Sequence, residues 1–281
     1  MTLLVRDEID IIKYNIDYHL SHGVDFIIAT DNGSVDGTRD VLKEYEFRGV
    51  LLLIDEKGND YSQSKWVNRM GVIAYEKYKA DIIFHCDADE FWSSKSGNLK
   101  NELEGRAEID IIKVKLTNVL LEDNNGKESF PSDCKWAVVN PLVSTNLEAD
   151  SKNENLYLFK YPEKVMYKTN NGYLSVIQGN HDVVDKKELT VGTSEDIVIF
   201  HYPLRSKNHF YKKIINGGSS YEANVILDKG VGFHWRRWYD SFKVGRLDGE
   251  YSNLVLSKKR IEFLQEEDII KEINFKYILS N

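Results

Sequence analysis

Apolar runs and helical patterns alternate along the first ninety residues. Leu3-Leu4-Val5 reads as a minimal strand, and from Glu8 the apolar positions Ile9, Ile12, Ile16 and Leu20 recur at helical spacing until Gly23 stops them. Residues 25–30 read as a second strand. It runs into Asp31-Asn32-Gly33-Ser34-Val35-Asp36-Gly37-Thr38, a turn of small and side-chain-capping residues in which Asp36 is placed to cap the next helix. That helix has Val41, Leu42 and Tyr45 on its apolar face. Residues 50–54 read as a third strand and 62–78 as a third helix, with Trp66, Met70, Ile73 and Ala74 on one side. The fourth apolar run starts at Ile82 and is interrupted by Asp87-Ala88-Asp89-Glu90 before Phe91-Trp92.

Strand and helix alternating with short links predict an α/β fold, with a mainly parallel central sheet flanked by helices. Ligands of such sheets bind beyond the carboxyl ends of the strands, where Arg6, Asp31 and Asp87 all fall. Alternate residues of an extended segment share a face. Asp87 and Asp89 are therefore expected to look into one pocket, with Ala88 leaving the space between them open. Two carboxylates so placed repel each other unless a positive charge lies between them. A divalent cation is the usual answer, since carboxylate oxygens suit Mg²⁺ or Mn²⁺, and magnesium is commonly shared with substrate phosphates.

The second half is less regular. Residues 109–121 and 135–144 read as longer strands, 165–168 and 173–177 as a hairpin about Asn170-Asn171-Gly172, and 197–202 as another strand. Residues 206–215 read as a helix closed by Gly217-Gly218, and 252–273 as a charged, helical surface tail. No Pro/Gly-rich linker marks a boundary.

Composition narrows the classes. Of 281 residues, 42% are hydrophobic and 29% charged, as in a soluble globular protein. With 37 basic against 45 acidic residues the net charge is −8, which argues against a general nucleic-acid surface and leaves space for a local basic pocket. The cysteines, Cys86 and Cys134, have neither metal-ligand nor disulfide-framework spacing and fit a reducing, cytoplasmic compartment. Neither a signal-peptide pattern nor a membrane-length apolar span is present, so a soluble chain is expected, with peripheral contact at the inner face of a membrane left open.

Val5-Arg6-Asp7-Glu8, then Asp31 to Thr38, then Asp87-Ala88-Asp89-Glu90-Phe91, in this order and on these strands, resemble a family 2 type glycosyltransferase of the GT-A fold. The resemblance is to the subgroup whose acidic motif continues into Glu-Phe and which later carries Gly-Asn-His and His-Tyr-Pro, here Gly179-Asn180-His181 and His201-Tyr202-Pro203. It implies a GT-A domain over 1–220, with 1–92 the nucleotide-binding half and 93–220 the acceptor half, and a largely helical extension over 221–281. It places Arg6, Glu8 and Asp31 at the nucleotide base and ribose, Gly33 in the same turn, and Asp87, Ala88 and Asp89 at the metal and nucleoside diphosphate, with Mn²⁺ or Mg²⁺ as cofactor. A later histidine is expected as a further metal ligand, His201 first and His181 second. The resemblance also brings Lys65 and Arg69, one turn apart on the third helix, toward the diphosphate beside Gln63 and Trp66, with a solvated helix face an equal reading for Lys65.

The implied activity is that of a hexosyl- or related transferase. It moves a sugar from a nucleoside-diphosphate sugar to a glycan, lipid-linked or protein acceptor, with inversion. Inversion needs one general base, and Asp182 and Glu90 are the candidates; Glu195-Asp196 has the family's letters but precedes a strand. His234-Trp235-Arg236-Arg237-Trp238 suits a sugar, a phosphate or an anionic head group, and equally a packed tryptophan pair with exposed arginines. A sugar-nucleotide-forming nucleotidyltransferase would show a glycine-rich loop after its first strand, and Val5 to Ile9 holds no glycine. A phosphatase with an aspartyl nucleophile would carry its acids after the first strand. A non-catalytic carbohydrate-binding protein gives no reason for polar motifs at successive strand ends.

Overall fold

The computed structural model describes residues 1–56, 63–104, 106, 108–127, 129–223, 230 and 232–274. The chain forms β1 (Thr2–Val5), α1 (Ile12–Ser21), β2 (Ile27–Asp31), α2 (Thr38–Phe47), β3 (Leu51–Asp55), α3 (Gln63–Glu76) and β4 (Ile82–Asp87). There follow β5 (Glu90–Ser94), α4 (Leu99–Glu104), β6 (Ile111–Leu121), β7 (Cys134–Val138), α5 (Leu147–Asp150), β8 (Lys164–Lys168) and β9 (Val191–His201). The last elements are α6 (Lys207–Ala223), α7 (Phe233–Lys243), α8 (Leu247–Leu254), α9 (Lys258–Glu266) and β10 (Ile270–Glu272).

The main sheet runs β10-β7-β6-β8-β4-β1-β2-β3, and β9 joins it beside β6 while pairing β5. Strands β3, β2, β1 and β4 are parallel, as helical crossovers require; β8 lies antiparallel between β4 and β6. Both faces of the parallel part are covered, so its strands are apolar on both sides. Leu3, Ala29 and Cys86 stand in register and pack with Ile12 and Ile16 of α1 and Leu42 of α2. Ile28 and Ile83 face the other way, onto Val67, Met70 and Ala74 of α3. The expected α/β class, with its parallel centre and flanking helices, is what the chain forms.

The connections leave β1 for β2 and β3 on one side, then return to β4 on the other. The carboxyl ends of β1 and β4 therefore flank a topological switch point, the place where an open α/β sheet leaves a crevice.

Several expectations change. The apolar run from Ile82 stops at the acids as expected, β4 ending at Asp87, but the extended geometry expected of Asp87 to Asp89 gives way to a turn at Ala88-Asp89, and Glu90 opens β5 against β9. Residues 173–177 form no strand, because Tyr173 donates its hydroxyl to Asn68 and only Val176 bridges to Val183. Gly217-Gly218 does not end α6. A Cβ at either glycine would lie within 2.6 Å of an aromatic side chain of α7, Trp235 or Tyr239, so the pair makes a groove for a neighbouring helix. The expected surface tail is α9 followed by β10, which adds to β7, with Ile261, Leu264 and Ile270 buried. The division expected at residue 220 falls inside α6. The expected start of the third helix at 62, and the parts of the 221–281 extension at 224–229, 231 and 275–281, lie outside the described residues. No helix among the described residues is long and apolar enough to cross a membrane.

Candidate active site

A cavity of about 550 Å³ opens at the switch point. Its walls come from the loop after β1, the turn after β4, β8 and β9, and from α6 and α7. Of the residues singled out in the sequence, Arg6, Glu8, Asp87, Ala88, Asp89, Glu90, His181 and His201 line it. Asp31, Gly33, Lys65, Arg69 and Asp182 do not. On α3 the inward face is carried by Trp66 and Met70. Lys65 is exposed, and Arg69 pairs with Glu56 at 3.0 Å. Asp182 is held by Lys186 and lies 3.6 Å from Lys113. Of the two candidate bases, Glu90 is the one that lines the cavity.

The first two motifs are locked to each other. Asp7 N–H donates to Ser34 Oγ (2.9 Å), Val35 N–H to Asp7 Oδ1 (2.8 Å), and Glu8 N–H to Thr38 Oγ1 (2.8 Å). Gly37, at φ 103°, occupies the N-cap position of α2, while Asp36 Oδ1 accepts from the Thr38 N–H and its Oδ2 from Ile9 N–H. Asp31 is buried and accepts from Ser34 N–H, and Gly33 is exposed at φ 72°. Both shape the turn that brings Asn32 and Asp36 to the cavity wall.

The acids at the centre are compensated by cations that sequence reading did not single out. Lys164, at the start of β8 and 3% exposed, lies 2.6 Å from Asp87 and 2.5 Å from Glu90. Lys213 of α6 donates to Asp89 Oδ2 at 2.7 Å. Arg205, fully buried, holds Glu8 and donates to Asp10 at 2.7 Å. Their one signal in the sequence is a basic residue set among apolar neighbours: Lys164 before Val-Met-Tyr, Arg205 just after His-Tyr-Pro. Burial raises the Glu8 carboxyl in spite of Arg205, and it raises Glu90 to about 8 against the pull of Lys164. Burial also opposes the charge on Asp89. There the charges of Lys213 and Arg205 win and hold the carboxyl well below the usual range.

Strand register positions the histidine of His-Tyr-Pro. Glu90 and Asn118 are the register partners of His201 on either side, and Tyr202 N–H donates to the Asp89 carbonyl at 2.8 Å, tying the acidic turn to β9. Asn118 Nδ2 donates to the Tyr157 carbonyl, so its Oδ1 faces His201 Nδ1 at 2.7 Å and accepts that proton. In the neutral ring Nε2 then carries the lone pair, 3.6 Å from Asp89 Oδ2. His181 is arranged alike: its Nδ1 donates to the Glu163 carbonyl at 2.9 Å, and burial keeps the ring neutral. Gly179, at φ 80°, makes the space for that ring, since a Cβ there would meet His181 Nε2 at 2.6 Å.

No protein-family model and no curated protein matches the chain. Among solved structures it is similar to residues 1–349 of Staphylococcus aureus TarS, at 12% identity and a TM-score of 0.42, covering 82% of this chain and 66% of that one. The same fragment in complex with UDP-GlcNAc gives 13%, 0.43, 82% and 67%. The chain thus spans 66% of the first of these fragments, and likeness at this level carries no argument.

Asp89 Oδ2 and His201 Nε2 are close enough for one ion at about 2.1 Å from each, and the Asn118 contact is the kind of outer hydrogen bond that fixes a ligating imidazole. Among the described residues no group of three or more His, Cys, Asp or Glu side chains is arranged to hold an ion. Asp87 is paired with Lys164 and Asp89 with Lys213, so an ion between Asp89 and His201 would have to displace the Lys213 ammonium from the Asp89 carboxylate.

Proposed function

We propose that this chain is a metal-dependent glycosyltransferase that moves a sugar, with inversion, from a nucleoside-diphosphate sugar to a hydroxyl acceptor. The observation that carries the reading is the cavity at the β1/β4 switch point, in which Asp89 Oδ2 lies 3.6 Å from His201 Nε2 while the other ring nitrogen is turned to Asn118. Arg6, Asn32, Asp36 and Trp66 form the nucleotide end, on the side of the β1 and β2 loops. Asp89 and His201 would hold Mn²⁺ or Mg²⁺, which supplies charge stabilisation to the leaving diphosphate. Lys213 lies on Asp89 beside this place and balances its charge.

The acceptor oxygen attacks the anomeric carbon, the bond from that carbon to the diphosphate oxygen breaks with its electron pair leaving on the diphosphate, and the hydroxyl proton passes to Glu90. Burial favours a carboxyl that is a stronger base than in water, and Lys164 lies against it to balance its charge. The test is thermal shift and titration calorimetry with a panel of nucleotide sugars, with and without Mn²⁺. Stabilisation by both together is expected, lost in Asp89→Asn and weakened in His201→Ala. Sugar-nucleotide binding and turnover that persist in Asp89→Asn under a chelator would overturn the metal role; no response to any nucleotide sugar would overturn the reading.

A further inference from the structure

The cavity continues past the acids to a wall that the nucleotide end does not use. On α6, Lys213 touches Asp89 and Gly217 lies four residues on, on the same side of the helix. A Cβ at Gly217 would lie 2.6 Å from Trp235 Cζ3, so α7 is packed hard against α6 beside the acidic turn. His234, Trp235 and Trp238 line the cavity, whereas Arg236 and Arg237 do not. Arg237 donates to the Ser151 carbonyl and hydroxyl at 3.1 Å each, and the Arg236 guanidinium lies over the Tyr221 ring. Trp238 is buried and donates to Glu250. Trp235 stacks against Tyr221 with ring planes 17° apart and keeps part of its surface in the cavity. Beyond Asp89, the Tyr161 ring lies 5.8 Å from that of His201 and also lines the space.

Building on the glycosyltransferase reading, we propose that the acceptor is an uncharged sugar ring, which lies against Trp235 within reach of Tyr161 and presents its hydroxyl toward Asp89 and Glu90. The C–H face of a pyranose matches an aromatic ring, and its hydroxyls need neutral hydrogen-bonding partners. His234 supplies one, since burial lowers it to about 4 and keeps it neutral. A phosphate acceptor would call for guanidinium groups, and the two arginines of α7 are turned to other partners. Of the other cations lining the cavity, Lys164 and Lys213 are on acids, Lys212 is exposed, and Arg6 belongs to the nucleotide end.

Saturation-transfer NMR of the full chain without donor, with maltose, cellobiose and lactose against glycerol phosphate, tests this apart from any turnover. Binding of at least one neutral disaccharide is expected, weaker by about tenfold in Trp235→Ala and restored in Trp235→Phe, which keeps a stacking ring and guards against a folding artefact. Glycerol phosphate bound more tightly than every neutral sugar, or Trp235→Ala binding as the wild type does, would overturn it. Failure of the glycosyltransferase reading shows separately, as absence of any nucleotide-sugar response.

Discussion

At the scale of single residues the deciding feature is how charge is shared. Glu90 is wedged between Lys164 on one oxygen and the Asp87 N–H on the other, and it lines the cavity. Two roles are compatible with such a group: proton acceptor, or counter-ion that fixes Lys164. They part in Glu90→Gln. The amide still accepts a hydrogen bond from Lys164 and keeps the shape of the side chain, yet it takes no proton. A base role predicts that turnover falls by about 10²- to 10⁴-fold while nucleotide-sugar affinity, read by calorimetry, stays within a few-fold. A counter-ion role predicts near-normal turnover with an altered melting temperature. Asp182 makes a useful contrast: its partners are Lys186 and Lys113, away from the cavity, so its replacement should leave turnover intact.

At the scale of elements, what was legible in the sequence is what local periodicity and turn chemistry control. The alternation through Ile82 yields β1 to β4 with the helices between them, and the turn at Asp36 follows from a side chain that bonds its own backbone neighbour Thr38, whereas the contact from Val35 N–H to Asp7 that locks it to the first loop joins residues far apart in the chain. The later half obeys contacts that no local window contains. Lys164 and Lys213 acquire meaning only when β8 and α6 meet the acidic turn, and Gly217-Gly218 reads as a stop until α7 is seen to need the space. The last point predicts opposite outcomes for two glycines. Gly217→Ala forces a Cβ into the Trp235 ring, so about 1–3 kcal/mol of overpacking outweighs or cancels the better helix propensity, and the melting temperature should fall. Gly249 of α8 has nothing within 4 Å of the added Cβ. Gly249→Ala should therefore gain about 0.4–1 kcal/mol, and its melting temperature should rise.

At the scale of the whole molecule the C-terminal elements are part of the same body as the sheet. One continuous cluster of buried side chains runs from Leu3 and Val5 through Trp92, Leu120 and Leu204 to Trp238, Leu264 and Ile270. Strand β10 completes the far edge of the sheet by pairing β7, and the Asn155 side chain donates to the Leu254 carbonyl, so α8 is anchored to a loop from the middle of the chain. An independent helical extension after residue 220 would melt on its own. A shared core requires one cooperative transition, because no apolar face between α7 to β10 and the sheet can open without exposing both. Ile270→Ala removes a buried side chain far from the cavity and should cost about 2–5 kcal/mol, read as a fall in the same single calorimetric transition that Leu3→Ala lowers. A separate low-temperature transition in Ile270→Ala, with the main one unmoved, would show that the C-terminal elements unfold as their own unit. In that case the acceptor wall carried by α7 would rest on a docking equilibrium rather than on the sheet, and sugar binding at Trp235 would weaken with that transition instead of with the global one.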